Sequence, residues 1–478
     1  MSSTAQLSAR ERITSLLDDN SFVEVGAFVT KRSTDFNLQQ KEVPADGVVT
    51  GYGVIDGNPV YVYSQDASSL GGSIGEMHAK KIVHIYDLAL KVGAPVIGLI
   101  DSTGLRLQEA TDALNGFGEI YLKQSLASGI IPQITAIFGN SGGGLAVLAS
   151  LSDFSFMEGK NAKLFVNSPN SLAANYKEKC DTAAAAFQAK SGAVDCVGSS
   201  EAEVLAKVRE LVTILPSNNE DDASYNECTD DLNRLLTQMP SGLTDTVKAL
   251  QDISDNNYFF EVKADYAKEM VTGFIRLNGM TIGAVANRTE IIGDGGKVTE
   301  KFDGGLTSAG CEKASSFVSF CDAFEIPLLT LTNVNGYKAT VEEEKTIARA
   351  AAKLTYAFAN ATVPKVNVII GKAFGSAYLS MNSKHIGADM VYALPGAQIG
   401  MMDAGLAAQI ICDGEGAEAI KEKAAEYEKL QSSAEAAARR GYVDSIIEPE
   451  TVRQHAIYSF EMLFTKRENR PAKKHGTK

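Results

Sequence analysis

With 478 residues, 45% of them hydrophobic and 22% charged, the chain is long enough for more than one domain and apolar enough for a large core. Its 59 acidic against 45 basic residues, a net charge of −14, argue against a general nucleic-acid surface. No run reaches the ~18–20 apolar residues of a membrane helix, so any work at a membrane needs a separate anchoring chain.

In chain order, Leu7–Leu17 predicts an amphipathic helix with Leu7, Ile13, Leu16 and Leu17 on one side. The start is polar and charged, unlike a signal peptide. The six cysteines (Cys180, Cys196, Cys228, Cys311, Cys321 and Cys412) form no C-x-x-C, so reduced cytoplasmic thiols are expected. Phe22–Val29 predicts a short strand and residues 30–43 a loop. Gly47–Ile55 and Pro59–Gln65 flank Asp56-Gly57, a hairpin signal. Gly71, Gly72 and Gly75 lead into a helix that runs to Val92. Lys163–Val166 predicts a strand, Ser171–Gln188 an alanine-rich helix, Lys190–Val197 a strand with a turn, and Ala202–Leu215 another helix. Pro216–Glu227 is acidic and polar and reads as a linker, which places two domains at 1–227 and 228–478. Asp230–Gln238 and Thr244–Ile253 then predict helices, Phe259–Glu261 a strand, and Val271–Leu277 with Met280–Ala286 a second hairpin about Asn278-Gly279. Ile292–Gly310 predicts a mobile glycine-rich loop and Cys311–Phe324 a helix. Ala397–Met402 and Tyr442–Ile447 predict strands, Ala417–Arg440 and Thr451–Phe464 helices, and the basic segment from Lys466 a solvated tail.

Two stretches, Pro95–Met157 and Pro327–Tyr392, organise the rest. Pro327 lies 232 positions after Pro95, and the same 232 separates Gly336 from Gly104, Pro364 from Pro132, Gly371 from Gly139 and Gly375 from Gly143. Each stretch reads as buried strand, Gly-bearing turn, helix, buried strand, small-residue turn and helix. A βαβα pattern implies parallel strands with helical crossovers, and its repetition implies a duplicated α/β domain.

The small-residue turns, SGGGLA and FGSAYL, are where chemistry is expected. Glycine lets a ligand approach the backbone, and a helix start offers unpaired N–H groups to a developing oxyanion. The competing reading is that Gly143 and Gly144 only permit close helix–strand packing. Gly139-Asn140-Ser141-Gly142-Gly143 also matches the G-x-S-x-G nucleophile elbow of a serine hydrolase. Against that, the repeat places Ala373 where Ser141 stands, and none of the five histidines sits in a setting that stands out. Arg106 could meet a phosphate or carboxylate, whereas Glu109 reads as a solvated residue favoured at a helix start. No clustered His and carboxylate pattern points to a metal, and no phosphate-binding loop is present.

Longer segments carry a resemblance. SQDASSLGGSIGEMHAKKIV, ALKVGAPVIGLIDSTGLRLQE, SGIIPQITAIFGNSGGGLA, ATVPKVNVIIGKAFGSAY, MNSKHIGAD and RRGYVDSIIEP resemble the biotin-dependent carboxyltransferases, especially methylmalonyl-CoA decarboxylase α subunits and propionyl-CoA carboxylase β subunits. The resemblance implies two tandem crotonase-like domains, the first binding an acyl-coenzyme A thioester and the second meeting biotin on a separate carrier protein. By motif position it implies that Gly143 and Gly144 stabilise the thioester enolate and that Gly375, Ser376 and Ala377 hold the biotin ureido oxygen. It places Gly104, Arg106, Gly336 and Tyr337 at the binding turns. It further implies a homo-oligomer, typically a hexamer, in the cytoplasm, with association to a membrane decarboxylase subunit where one exists. The chain departs from the family pattern at Ser102-Thr103-Gly104-Leu105-Arg106, Asn335-Gly336-Tyr337 and Gly375-Ser376-Ala377-Tyr378. These departures leave open a carboxyltransferase with an unusual substrate and a structural paralogue of weakened activity.

Overall fold

The computed structural model describes residues 6–221, 226–239 and 243–471. Contacts divide the chain into two compact units, Met1–Ser224 and Tyr225–Lys478.

The first unit is built on eight strands: β1 (Val23–Glu24), β2 (Val48–Ile55), β3 (Asn58–Gln65), β4 (Val96–Ser102), β5 (Gln133–Gly142), β6 (Phe154–Glu158), β7 (Lys163–Phe165) and β8 (Cys196–Gly198). They run in the order β1-β2-β3-β4-β5-β6-β8, with β7 also paired to β5. The β1–β2 and β2–β3 pairs are antiparallel, and the pairings from β3 to β8 are parallel. Helix α1 (Ala9–Leu16) opens in a capping box between Ser8 and Glu11. Helix α2 (Glu76–Val92) ends at Gly93, whose φ of 71° and N–H to Ala89 O form a left-handed cap. Helix α3 (Ala110–Ala127) crosses from β4 to β5, and the short α4 (Gly144–Ser150) follows β5. Ile82, Ile85, Phe117 and Ile120 pack with Val96, Ile100 and Ile137 in the core. Each such buried side chain contributes roughly 1.5–3 kcal/mol.

The second unit repeats the plan. Its strands β9 (Phe260–Val262), β10 (Met270–Leu277), β11 (Met280–Asn287), β14 (Leu328–Val334), β15 (Lys365–Phe374), β16 (Met390–Ala393) and β18 (Ser445–Ile446) run β18-β16-β15-β14-β11-β10-β9, with β17 (Gln398–Gly400) paired to β15. The duplication reaches single backbone bonds. The isolated parallel bridge Ile74–Leu105 recurs as Leu306–Tyr337, 232 positions later. The register slips between Ile100 and Ser102 in one unit and between Thr332 and Val334 in the other. Gly104 and Gly336 have φ of 100° and 97°, and Gly143 and Gly375 have 61° and 65°. Lys81 Nζ donates to the carbonyls of Ala45 and Val48, and Lys313 Nζ, again 232 positions on, donates to those of Lys263 and Tyr266. Both lysines are buried, and burial lowers their pKa to about 8 and about 7.

Several expectations are corrected. The strand expected over Phe22–Val29 is only Val23–Glu24, because Gly26 takes a φ of 74° and ends it. Ser171–Gln188 forms two short helices, Asn175–Glu178 and Ala185–Lys190, separated by Lys179 with φ 36°. Asp230–Gln238 is not helical; Asp230 and Asp252 instead bind Arg234 and backbone N–H groups there. Ile292–Gly310 holds a β-hairpin, β12 (Glu290–Ile292) with β13 (Val298–Lys301), turning at Gly295 and Gly296 with φ of 74° and 77°. Ala417–Arg440 breaks into Ala417–Tyr427, a wider turn over Glu428–Ser432, and Ala434–Arg439, which starts afresh on the Ser433 side-chain cap. Part of the linker segment Pro216–Glu227 and the end of the tail lie outside the described residues. Among the described residues no helix is long and apolar enough to cross a membrane.

Candidate active site

In each unit the two central parallel strands end side by side, and each opens into a glycine turn. In the first unit β4 pairs with β5 through Ser102 and Ser141, and a Cβ on Gly104 would stand 3.9 Å from Gly142 O. The turns after β4 and β5 are therefore neighbours. In the second unit the pairing of Val334 with Ala373 aligns the corresponding ends.

A buried amide secures each strand end. Gln65 Oε1 accepts the N–H of Asp101 at 3.3 Å, and Asn287 Oδ1 accepts that of Asn333 at 3.0 Å. The residue so held packs its own oxygen on a glycine of the next strand. A Cβ on Gly139 would stand 1.9 Å from Asp101 Oδ1, and one on Gly371 would stand 2.6 Å from Asn333 Oδ1. Neither position could hold a larger residue without moving that side chain. Gln65 and Asn287 are not marked by any motif; their signal in the sequence is position alone, Gln65 closing the first predicted hairpin and Asn287 directly following the second.

The two glycines after β5 are small for different reasons. Gly143 has φ 61° and ψ −123°, a conformation that L side chains rarely adopt, and a Cβ there would meet nothing within 4 Å. Its N–H already donates to Phe165 O at 2.8 Å. Gly144 is small because a Cβ would meet Tyr121 Oη at 2.8 Å and Phe117 at 3.1 Å, and its carbonyl accepts from that hydroxyl at 2.6 Å. Packing therefore accounts for the small size of Gly144, and the Gly143 N–H is committed to Phe165 O. In the second unit Gly375 has φ 65°, while Ser376 and Ala377 continue into the short helix Gly375–Leu379 without positive φ, so serine is accommodated there without strain. Ser376 is exposed and Ala377 buried. Tyr337 is half-buried, its hydroxyl 3.5 Å from Ser380 Oγ, and a Cβ on Gly336 would meet nothing within 4 Å.

Arg106 is corrected from ligand contact to internal support. It is 1% exposed, and Nη1 donates to Asp46 Oδ1 at 2.6 Å and Glu109 Oε1 at 2.9 Å, while Nη2 donates to Ser73 O at 2.7 Å. Glu109 is likewise buried rather than solvated, and accepts the N–H of Glu76 at 2.6 Å, capping α2. Gly75 makes room: a Cβ there would stand 2.4 Å from Arg106 Nη1. His78 joins the group through its N–H to Asp46 Oδ2 at 2.8 Å. Its Nδ1 lies 2.9 Å from Asp46 O and its Nε2 3.3 Å from Gln65 Nε2. Nδ1 therefore carries the proton and Nε2 accepts. Burial, then the Arg106 charge, lowers its pKa to about 3, so it is neutral at ordinary pH. Burial raises the pKa of Asp46.

The elbow reading of Ser141 fails. The side chain is fully buried, its hydroxyl has no hydrogen-bond partner among the described residues, and the histidine described above is committed to Asp46 and Gln65. The site therefore offers backbone N–H groups and open glycine faces, with the ionisable groups serving as supports.

A model of the carboxyl transferase domain matches residues 2–477. The chain is 39% identical to the methylmalonyl-CoA decarboxylase subunit alpha of Propionigenium modestum, covering 99% of this chain and 93% of that one. It is 40% identical to the propionyl-CoA carboxylase beta chain of Roseobacter denitrificans, covering 98% and 93%. Among solved structures it superposes on transcarboxylase 12S, in a hexamer with methylmalonyl-coenzyme A and methylmalonic acid bound, with a TM-score of 0.92 at 37% identity over 98% of this chain and 92% of that one. The paired crotonase-like sheets, the two glycine turns and these full-length matches agree: the chain belongs to the carboxyl transferase domain family of acyl-CoA carboxyltransferases.

Proposed function

We propose that this chain moves a carboxyl group between a small acyl-coenzyme A and biotin borne on a separate carrier protein, in the decarboxylase direction. The observation that carries the reading is the doubled site: each unit has a pair of glycine turns, with φ near 100° after the first central strand and near 60° after the second. A transfer between two acceptors needs two places where negative charge develops on oxygen, and backbone N–H groups suit both. The first unit takes the thioester, its enolate oxygen meeting the N–H of Gly144 beside the Gly104 turn. The second takes the biotin ureido oxygen at Gly375, Ser376 and Ala377, beside Gly336 and Tyr337. The open faces at Gly143 and Gly336 leave room for flat groups against the backbone. Biotin supplies a nitrogen that carries the carboxyl group; the chain binds, orients and stabilises charge.

The relatives support an acyl group of the methylmalonyl or propionyl type, a hexameric homo-oligomer and a biotin carrier protein as partner. A membrane decarboxylase subunit is the partner expected for the decarboxylase direction. Mass spectrometry of malonyl-, methylmalonyl- and glutaconyl-coenzyme A, with and without free biotin, tests the reading. Biotin-dependent loss of the carboxyl group from one thioester is expected. Thioester binding without turnover on the panel, beside an active relative, would transfer the assignment to a structural paralogue.

A further inference from the structure

The second unit carries an element that the first lacks. Gln65 and Asn287 make the same bond in the two units, and Ile74 and Leu306 sit in the same isolated bridge. Ile74 lies nine positions after Gln65, but Leu306 lies nineteen after Asn287. The ten extra residues belong to the hairpin β12–β13, a two-stranded sheet apart from the eight-stranded one. A lone two-stranded hairpin is marginal in water, so this one needs anchors. It has them on the β12 side, where Glu290 N donates to Thr244 O at 3.0 Å and Ile292 N to Asp245 Oδ2 at 2.9 Å. Lys268 reaches across to Glu300 at 3.0 Å, and Lys301 pairs with Glu290 at 2.8 Å. All four residues of β13 are exposed, Val298 at 42%.

The stem of the hairpin leads to the second unit's first turn. Gly304 O accepts the N–H of Asn335 at 2.8 Å, and Asn335 directly precedes Gly336. Thr289 and Asp303, which bracket the hairpin, border one recess with Asn335 and Lys372. The charge on this rim is unbalanced. Lys297 is exposed beside the tip glycines, and the Lys372 ammonium lies 5.9 Å from the centre of the Phe374 ring. Neither makes an ion pair among the described residues, although the chain carries a net charge of −14.

We propose that the β12–β13 hairpin is the docking surface for the carrier protein that brings biotin to the second unit, and that the carrier presents carboxylates to Lys297 and Lys372. This docking rests on the carboxyl-transfer reading. The two acceptors of that reaction differ in kind: the thioester is a small molecule, whereas biotin rides on a protein. The glycine turns of the two units are alike. The unit that receives a protein is the one with an added, anchored and exposed element beside its turn, and complementary charge steers such an encounter.

Steady-state kinetics of the full chain with two acceptors is the test: free biotin, and the biotinylated carrier protein isolated on avidin from the source cells. Glu290 and Lys301 are cross-strand partners, so joining them removes the residues between without stretching the stem. This deletion should raise KM for the carrier at least about tenfold and leave KM for free biotin within about twofold. Lys297→Glu and Val298→Glu, at exposed positions, should raise KM for the carrier about fivefold through like-charge repulsion, and they decide the matter if the deleted chain does not fold. Raising salt from about 50 to about 250 mM should weaken the carrier and spare free biotin. An unchanged carrier KM in the folded variants would overturn the docking. So would an equal rise for both acceptors, which makes the hairpin part of the biotin pocket, or a change of oligomer size on deletion, which makes it a contact between copies. Turnover with free biotin but with no biotinylated protein would overturn the docking and leave the chemistry standing. No biotin-dependent turnover at all would remove both.

Discussion

Arg106 and Lys338 occupy equivalent places, 232 positions apart, and do opposite work. Both backbone N–H groups close the same bridge, Arg106 N to Ile74 O at 2.9 Å and Lys338 N to Leu306 O at 2.8 Å. The Arg106 side chain is sealed between two buried carboxylates, at 1% exposure beside 0% for Asp46 and 2% for Glu109. The Lys338 ammonium pairs with Asp303 at the surface, 36% and 59% exposed. Removing one member of a buried ion group strands the others, which costs roughly 3–5 kcal/mol, whereas an exposed pair is worth about 0–1 kcal/mol. Urea unfolding should therefore show a large loss for Arg106→Ala and almost none for Lys338→Ala. Similar losses in the two variants would contradict the buried geometry. The glycines after β5 separate in the same way. Gly144→Ala is expected to be relieved by Tyr121→Phe, which removes the hydroxyl that the new methyl would strike at 2.8 Å. Gly143→Ala, strained by its backbone at roughly 1–3 kcal/mol, should gain nothing from Tyr121→Phe.

At the scale of elements, the start of α2 is held by groups whose protonation states are fixed by burial. His78 has a folded pKa of about 3 against an ordinary 6.5. The unfolded chain therefore takes up a proton below pH 6.5 that the folded chain refuses until about pH 3. The stability tied to His78 is full above pH 6.5 and is lost as pH falls through that window, at up to ~1.4 kcal/mol per unit. Between pH 6.5 and 5.0 the wild type should lose about 2 kcal/mol more than His78→Gln. Equal slopes in denaturant titrations at the two pH values would refute it. Asp46, raised by burial, works in the opposite direction and is present in both proteins. None of this was visible in sequence, since Glu109 and Arg106 have the pattern of a solvated helix start and only the packing of Gly75 buries them. The elements that were legible were those whose own residues decide them: the Asp56-Gly57 and Asn278-Gly279 hairpins, the β4 and β14 strands with their apolar openings Val96–Ile100 and Leu328–Leu329, and the glycine turns after them. The failures came where tertiary contacts override local pattern. Alanine-rich Ser171–Gln188 has no continuous buried face to hold a helix, and among the described residues Ala417–Tyr427 buries none of its side chains.

The duplication gives the whole molecule its last and most discriminating test. Gln65 and Asn287 make the same bond in the two units, each side-chain carbonyl accepting the N–H of the residue that leads into a glycine turn. Their loss should loosen one turn and leave the other intact, because each amide acts within its own unit. If the first unit handles the thioester and the second handles biotin, the same chemical lesion must appear in different kinetic constants. Gln65→Ala is expected to raise KM for the acyl-coenzyme A, and Asn287→Ala to raise KM for biotin. A hydrogen bond of about 0.5–1.5 kcal/mol sets each effect at roughly 2- to 10-fold. A purely structural role would lower the melting temperature and the amount of active enzyme without dividing the two constants between the variants. Steady-state kinetics with each substrate varied in turn decides the matter. Both lesions moving the same constant would leave the duplicated fold standing and remove the division of labour between its halves.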